Sequence, residues 1–143
     1  MKRFTGMAIL GVAAVVAACN SDEATGTEDH TPVRMQLVVD GDTMTTDTLF
    51  LPFGGTVTVR GVFFNAADES LDPHEGEHWS KLTFNPGSLA TAAVDTAHHY
   101  QHTVEVHGAA NATGTVDVGY GHDELADEHT LSVPVKIVAA IVR

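Results

Sequence analysis

The stretch "TVEVHGAANATGTVDVGYG", Thr103 to Gly121, decides what kind of fold this chain can make. Thr103–Val106 and Thr115–Tyr120 each alternate apolar and polar side chains, the period of a strand with one face in a core. Between them Gly108 to Gly114 is rich in Gly, Ala and Asn, which is turn chemistry. Two alternating runs around such a turn predict an antiparallel pair. The same period recurs on either side. Val33, Met35, Leu37 and Val39 alternate with Arg34 and Gln36. Val57, Val59 and Phe63 face one way, and Thr58 and Arg60 the other. Leu131 to Val138 alternates too, with Pro134 arguing for an edge position or a bulge. Turn residues at Asp40-Gly41-Asp42, Phe53-Gly54-Gly55 and Asn85-Pro86-Gly87 punctuate the runs. There is no convincing amphipathic helix and no clear internal repeat. Short strands at this spacing predict an all-β chain with one sandwich domain, residues 33–143.

The N-terminus is of another kind. Lys2 and Arg3 precede the apolar run Met7 to Ala18, which is too short to span a bilayer as a helix and reads as the core of a secretory signal. The run ends "VAAC", Val16 to Cys19, which resembles the lipobox of bacterial lipoproteins. That resemblance implies a signal peptide over 1–18, cut before Cys19, which is then lipidated. Asn20 after the cysteine is similar to the outer-membrane sorting pattern of enteric bacteria. The implied location is the bacterial cell envelope, lipid-anchored, at the outer membrane facing the periplasm or at the cell surface. An ordinary secretory signal cut after an A-x-A-like site is the alternative. Asn20 to Pro32, "NSDEATGTEDHTP", has no large apolar residue and reads as a flexible acidic tether behind the lipidated cysteine, over 19–32. A tether of that length spans roughly 20 Å root-mean-square.

Cys19 is the only cysteine. Lipidated, it leaves the folded part with no disulfide, no thiolate zinc site, no cysteine nucleophile and no blue-copper centre. Removing residues 1–18 also removes Lys2 and Arg3 and takes the formal charge from −12 to −14. Such a chain is not expected to bind nucleic acid or an anionic lipid surface. It can attract cations, although the same charge also serves plain solubility. Nine histidines against seven Lys plus Arg is the first compositional pointer to function.

"HWSKLTFNPGSLATAAVD" followed by the opening stretch resembles the bacterial immunoglobulin-like (Big-type) domains. The pieces that carry the likeness are Trp79-Ser80, Ala90-Thr91-Ala92-Ala93-Val94 and Gly114-Thr115-Val116, within a span of about Leu51 to Val138. The resemblance implies a single immunoglobulin-like β-sandwich. In that topology the loops between the second and third strands and between the last two share one end, and the up-and-down path brings the turn between the fourth and fifth strands, just before His98, to the same end. Six of the nine histidines, His74, His78, His98, His99, His122 and His129, then gather at that end, among many carboxylates. Imidazole with carboxylate suits Zn(II), Cu(II) or Ni(II). The expected ligands are His74, His78, His122 and His129, with His98 or His99 as substitutes. Asp72, Glu75 and Asp123 are expected to orient the imidazoles. His102, on the Tyr100/Val104/Val106 face, is expected at the edge of the core, and His107 at the far end. The implied roles are capture, buffering or hand-over of a divalent transition metal, with a metal transporter or another envelope protein as partner. The alternative is an adhesion or structural module that binds protein or glycan, its acidic loops merely solvated.

No enzyme is expected. His74-Glu75-Gly76-Glu77-His78 spells H-E-x-x-H, but that motif works on a helix, with both histidines on one face. Gly76 disfavours a helix by about 1 kcal/mol against Ala, and Asn85-Pro86 would end it at once. A Cu/Zn dismutase-like sandwich lacks its His-x-His strand ligands and its disulfide here. The facing of the third strand stays open, because Trp79 and the pair Leu82/Phe84 point to opposite faces unless a bulge intervenes.

Overall fold

Alternation becomes burial strand by strand. A computed structural model of the chain describes residues 31–44, 47–71, 78–122, 126 and 128–139. The expected signal, Cys19 and most of the expected tether lie outside the described residues. The strands are β1 (Arg34–Val39), β2 (Asp42–Met44), β3 (Leu49–Pro52), β4 (Thr56–Phe64), β5 (Ser70–Leu71), β6 (Trp79–Asn85), β7 (Ala90–Asp95), β8 (His98–Val106), β9 (Thr113–Gly121) and β10 (His129–Val138). No helix occurs among the described residues. Leu37, Val59, Phe63 and Val104 point inward from one sheet; Leu51, Val116, Val118, Val135 and Ile137 do so from the other.

The first sheet runs β2-β1-β4-β8-β7, with β5 paired to β4; the second runs β3-β10-β9-β6. Neighbours are antiparallel except β3, which lies parallel to β10. This is the strand order of an immunoglobulin-like sandwich. Three elements were not expected from sequence: the short partner β2, the parallel edge β3, and β5. Pro134 sits next to the point where β3 begins its pairing at Val135. There β10 has β9 as its neighbour, so a missing N–H is tolerated.

An aromatic cluster ties the sheets together near the loop end. Phe63 meets Tyr100 edge-on at 5.0 Å and Tyr120 of the opposite sheet at 5.1 Å between ring centroids. Gly61 allows this, since a Cβ there would stand 2.8 Å from Cε2 of Phe63. Offset and edge-on contacts of this kind add to plain area burial.

Strand β6 settles the facing question without a bulge in its pairing to β9. Ser80, Leu82 and Phe84 are buried, and Trp79 faces out. The Trp79 ring stacks on His99 of β8 at 3.6 Å and 13° between planes, closing the corner between the two sheets. Ser80 occupies the inward position instead. Its hydroxyl donates to the His99 carbonyl at 3.1 Å and lies 2.8 Å from Nε2 of His102. With its proton committed to that carbonyl, the hydroxyl accepts from His102 Nε2–H. The direction is opposite to the one a nucleophilic serine needs. His102 is 2% exposed, deeper than the core-edge place expected of it.

Burial pushes the His102 imidazole down from 6.5 to about 4. Between these values the unfolded chain holds a proton that the folded chain refuses. Stability is therefore fully present above the unfolded value and falls as pH drops through this window. The loss attributable to this residue between neutral pH and the low end of the window is about 3 kcal/mol. Urea unfolding at both pH values checks this: His102→Asn should show a pH dependence smaller than the wild type by that amount. An unchanged slope would contradict it.

Candidate functional site

The ladder between β6 and β9 assembles the site. Trp79 pairs with Gly121 and Ser80 with Tyr120. Extending that register by one position sets His78 opposite His122, on the same face as Ser80 and Tyr120. That face looks into the sandwich, so the two imidazoles stand at the mouth of the core, above Tyr120. His78 is 4% exposed and stacks on the Tyr120 ring at 5.3 Å and 18°. The His122 side chain is about half exposed. The pair thus has a buried wall on one side and solvent on the other.

Nε2 of His78 and Nε2 of His122 are 3.1 Å apart, and the ring centroids 4.3 Å. On the far side of His122, Nδ1 is 2.7 Å from Oε2 of Glu128. A carboxylate accepts only, so His122 donates from Nδ1. Its Nε2 then carries a lone pair, which takes the Nε2–H of His78. The Glu128 carboxyl lies below its ordinary range, first because of the His122 hydrogen bond, which outweighs desolvation, and then, when those imidazoles are protonated, through the charges of His122 and His129.

This arrangement can do one thing well. Two nitrogens each about 2.0–2.1 Å from one tetrahedral ion stand roughly 3.3 Å apart. The Nε2 pair already has nearly that spacing. A carboxylate on the second ring nitrogen is the partner that fixes the tautomer of a metal-ligating histidine and raises its basicity. Among the described residues, no group of three or more His, Cys, Asp or Glu stands close enough to hold an ion, so the described donors form a pair.

Of the expected ligands, then, the structure brings His78 and His122 together. His129 begins β10 opposite Tyr120, with its ring centroid 6.2 Å from the tyrosine's. It shares the loop end and the inner face without joining a group of three. The two substitutes are committed elsewhere. His98 pairs through Nδ1 with Asp95 at 3.3 Å, and His99 donates from Nε2 to the Thr96 carbonyl at 3.0 Å while stacked on Trp79. Both serve the β7–β8 turn. The Asp95 carboxyl is lowered there, chiefly by the Ala97 amide and then by His98. His107 lies at the opposite end beside Thr91, as expected, with 3.1 Å between Nε2 and the hydroxyl. His74, Asp72, Glu75 and Asp123 lie outside the described residues, as does the rest of the H-E-x-x-H stretch before His78.

Glu128 and Tyr120 are the participants that sequence reasoning did not assign. Glu128 was one acid among many in "GHDELADEH". Its signal is positional: it directly precedes His129, which closes the hairpin on Tyr120, and so it returns beside the start of the same loop. No protein-family model matches the chain, and no curated protein matches it.

The Glu128–His122 pair has a pH signature. A depressed carboxyl contributes above its unfolded value, and the contribution is lost as pH falls through the folded value. The carboxyl 13C titration of Glu128 should have its midpoint below that of an ordinary glutamate. In His122→Ala the midpoint should move up toward the ordinary range. A midpoint unaffected by that substitution would show that the pair does not form in solution.

Proposed function

We propose that this is a bacterial envelope lipoprotein, anchored through a lipid on Cys19 and a short acidic tether. Its immunoglobulin-like domain binds a divalent transition metal at the loop end. The observation that carries the reading is the 3.1 Å approach of two imidazole Nε2 atoms, one of them backed by a carboxylate on its other nitrogen. Histidine nitrogens without thiolate favour Zn(II), Cu(II) or Ni(II). The ion would take the place of the proton between the two rings, that proton moving to Nδ1 of His78 so that both Nε2 lone pairs face the ion. Because both rings must be neutral to bind it, binding weakens in acid. Its remaining coordination positions would face the loop side. His74 and His129 are the further candidates by their place in the chain. The half-exposed setting of His122 suits capture or hand-over, since an incoming ligand can reach the ion from solvent. The formal charge, −12 for the whole chain and −14 once Lys2 and Arg3 go with residues 1–18, favours cation approach without specifying a site. A membrane metal transporter or another envelope protein is the partner class that such a tethered carrier would serve.

Calorimetry and elemental analysis on residues 20–143 with Zn(II), Cu(II) and Ni(II) test the proposal. One ion should bind per chain. His78→Ala and His122→Ala should each weaken binding by about tenfold or more, the scale on which disturbing a metal site acts. His107→Ala should leave it unchanged. Binding no tighter than that of a generic acidic surface would sink the metal reading and leave an adhesion or structural module with a solvated rim.

A further inference from the structure

Gly119 does more than continue β9. It lies on the outer face of the second sheet, between the inward-facing Val118 and Tyr120, where the register sets it opposite Lys81 on one side and Thr130 on the other. A Cβ built there would stand 2.1 Å from the carbonyl oxygen of Ala126 and 3.6 Å from Cβ of Lys81. No real side chain survives the first contact, and the atom it meets is backbone. The carbonyl of Ala126 therefore occupies the space that any residue other than glycine would fill. Ala126 is 1% exposed, an unusual degree of burial for a hairpin loop, and its φ of 46° places it in the left-handed region. Ala126 is thus seated on the sheet against Gly119. Two residues further on, Glu128 meets Nδ1 of His122.

We infer that Gly119 is a positioning residue for the His78/His122 site: it seats the Ala126 carbonyl, which sets Glu128 against Nδ1 of His122 and leaves the His122 Nε2 lone pair facing His78. The inference rests on reading those two histidines as metal ligands, but its first consequence, the His122 tautomer, exists without any metal. Gly119 itself touches neither imidazole. It acts through Ala126, two residues before Glu128, and a carboxylate displaced from Nδ1 no longer decides which ring nitrogen holds the proton.

The test compares wild type, Gly119→Ala and Glu128→Ala as full chains in detergent micelles, at a pH above the imidazole range. Long-range 1H–15N correlation spectra of the histidine side chains report the tautomer, and a zinc titration reports affinity. Wild-type His122 should be held as the Nδ1–H tautomer. Both variants should show His122 exchanging between tautomers, with zinc affinity lower by about tenfold or more. Gly119→Ala with the wild-type tautomer and wild-type affinity overturns the inference. Should that variant not fold, a nuclear Overhauser contact in the wild type decides instead: Hα protons of Gly119 close to Hα of Ala126 support the seat, and their absence overturns it. If the wild type binds no zinc, the metal reading fails, while the tautomer comparison still decides the role of Gly119.

Discussion

The ladder between β6 and β9 is the interaction on which the loop end depends. Its register is regular from Trp79↔Gly121 to Asn85↔Thr115. A slip of one residue would turn Ser80, Leu82 and Phe84 out to solvent and Trp79 into the core. It would also part His78 from His122. The core and the candidate site are therefore locked by the same pairing. Burial of Leu82, Phe84, Val116 and Val118 fixes the register, and the register fixes the imidazoles.

Above that ladder the polar groups form a graded series. Deepest is Ser80 with His102, buried, hydrogen-bonded and held neutral by desolvation. This pair satisfies a hydroxyl in the interior and keeps β6 close to β8 through the His99 carbonyl. Next come His78 on Tyr120, sheltered, and His122, half exposed and tied to Glu128. Each histidine is used differently because each meets a different environment. Proximity in sequence is a poor guide to this: His98 and His99 are chain neighbours of Tyr100 yet serve the β7–β8 turn, while His78 and His122 are 44 residues apart and meet.

Much of the fold was legible in the chain. The alternations of β1, β4, β8, β9 and β10 carry strands and facing, because one-sided burial imposes a period of two. The turns at Asn85-Pro86-Gly87 and Gly108 to Gly114 set the up-and-down path that brings the histidines to one end. Strand β3 was not legible. Leu49 to Pro52 is too short to show a period, and its parallel pairing with β10 comes from a long-range contact that local pattern does not encode. The outward turn of Trp79 was illegible for a related reason. A large aromatic side chain is expected inside, and only the position of His99 in the other sheet provides it a partner outside. At the site, convergence of His78 and His122 followed from topology. The part played by Glu128 did not, because it depends on Ala126 seating against Gly119, a steric fact of two backbones meeting.

The central claim is that His78 and His122 are the two nitrogens of a metal centre. Crystals of the domain grown with one equivalent of Zn(II), measured at the zinc absorption edge, test it most directly. The account predicts one anomalous peak about 2.0–2.1 Å from Nε2 of both histidines, with Glu128 still on Nδ1 of His122. A peak on other residues, or an ordered His78–His122 pair with no peak beside it, would contradict the account.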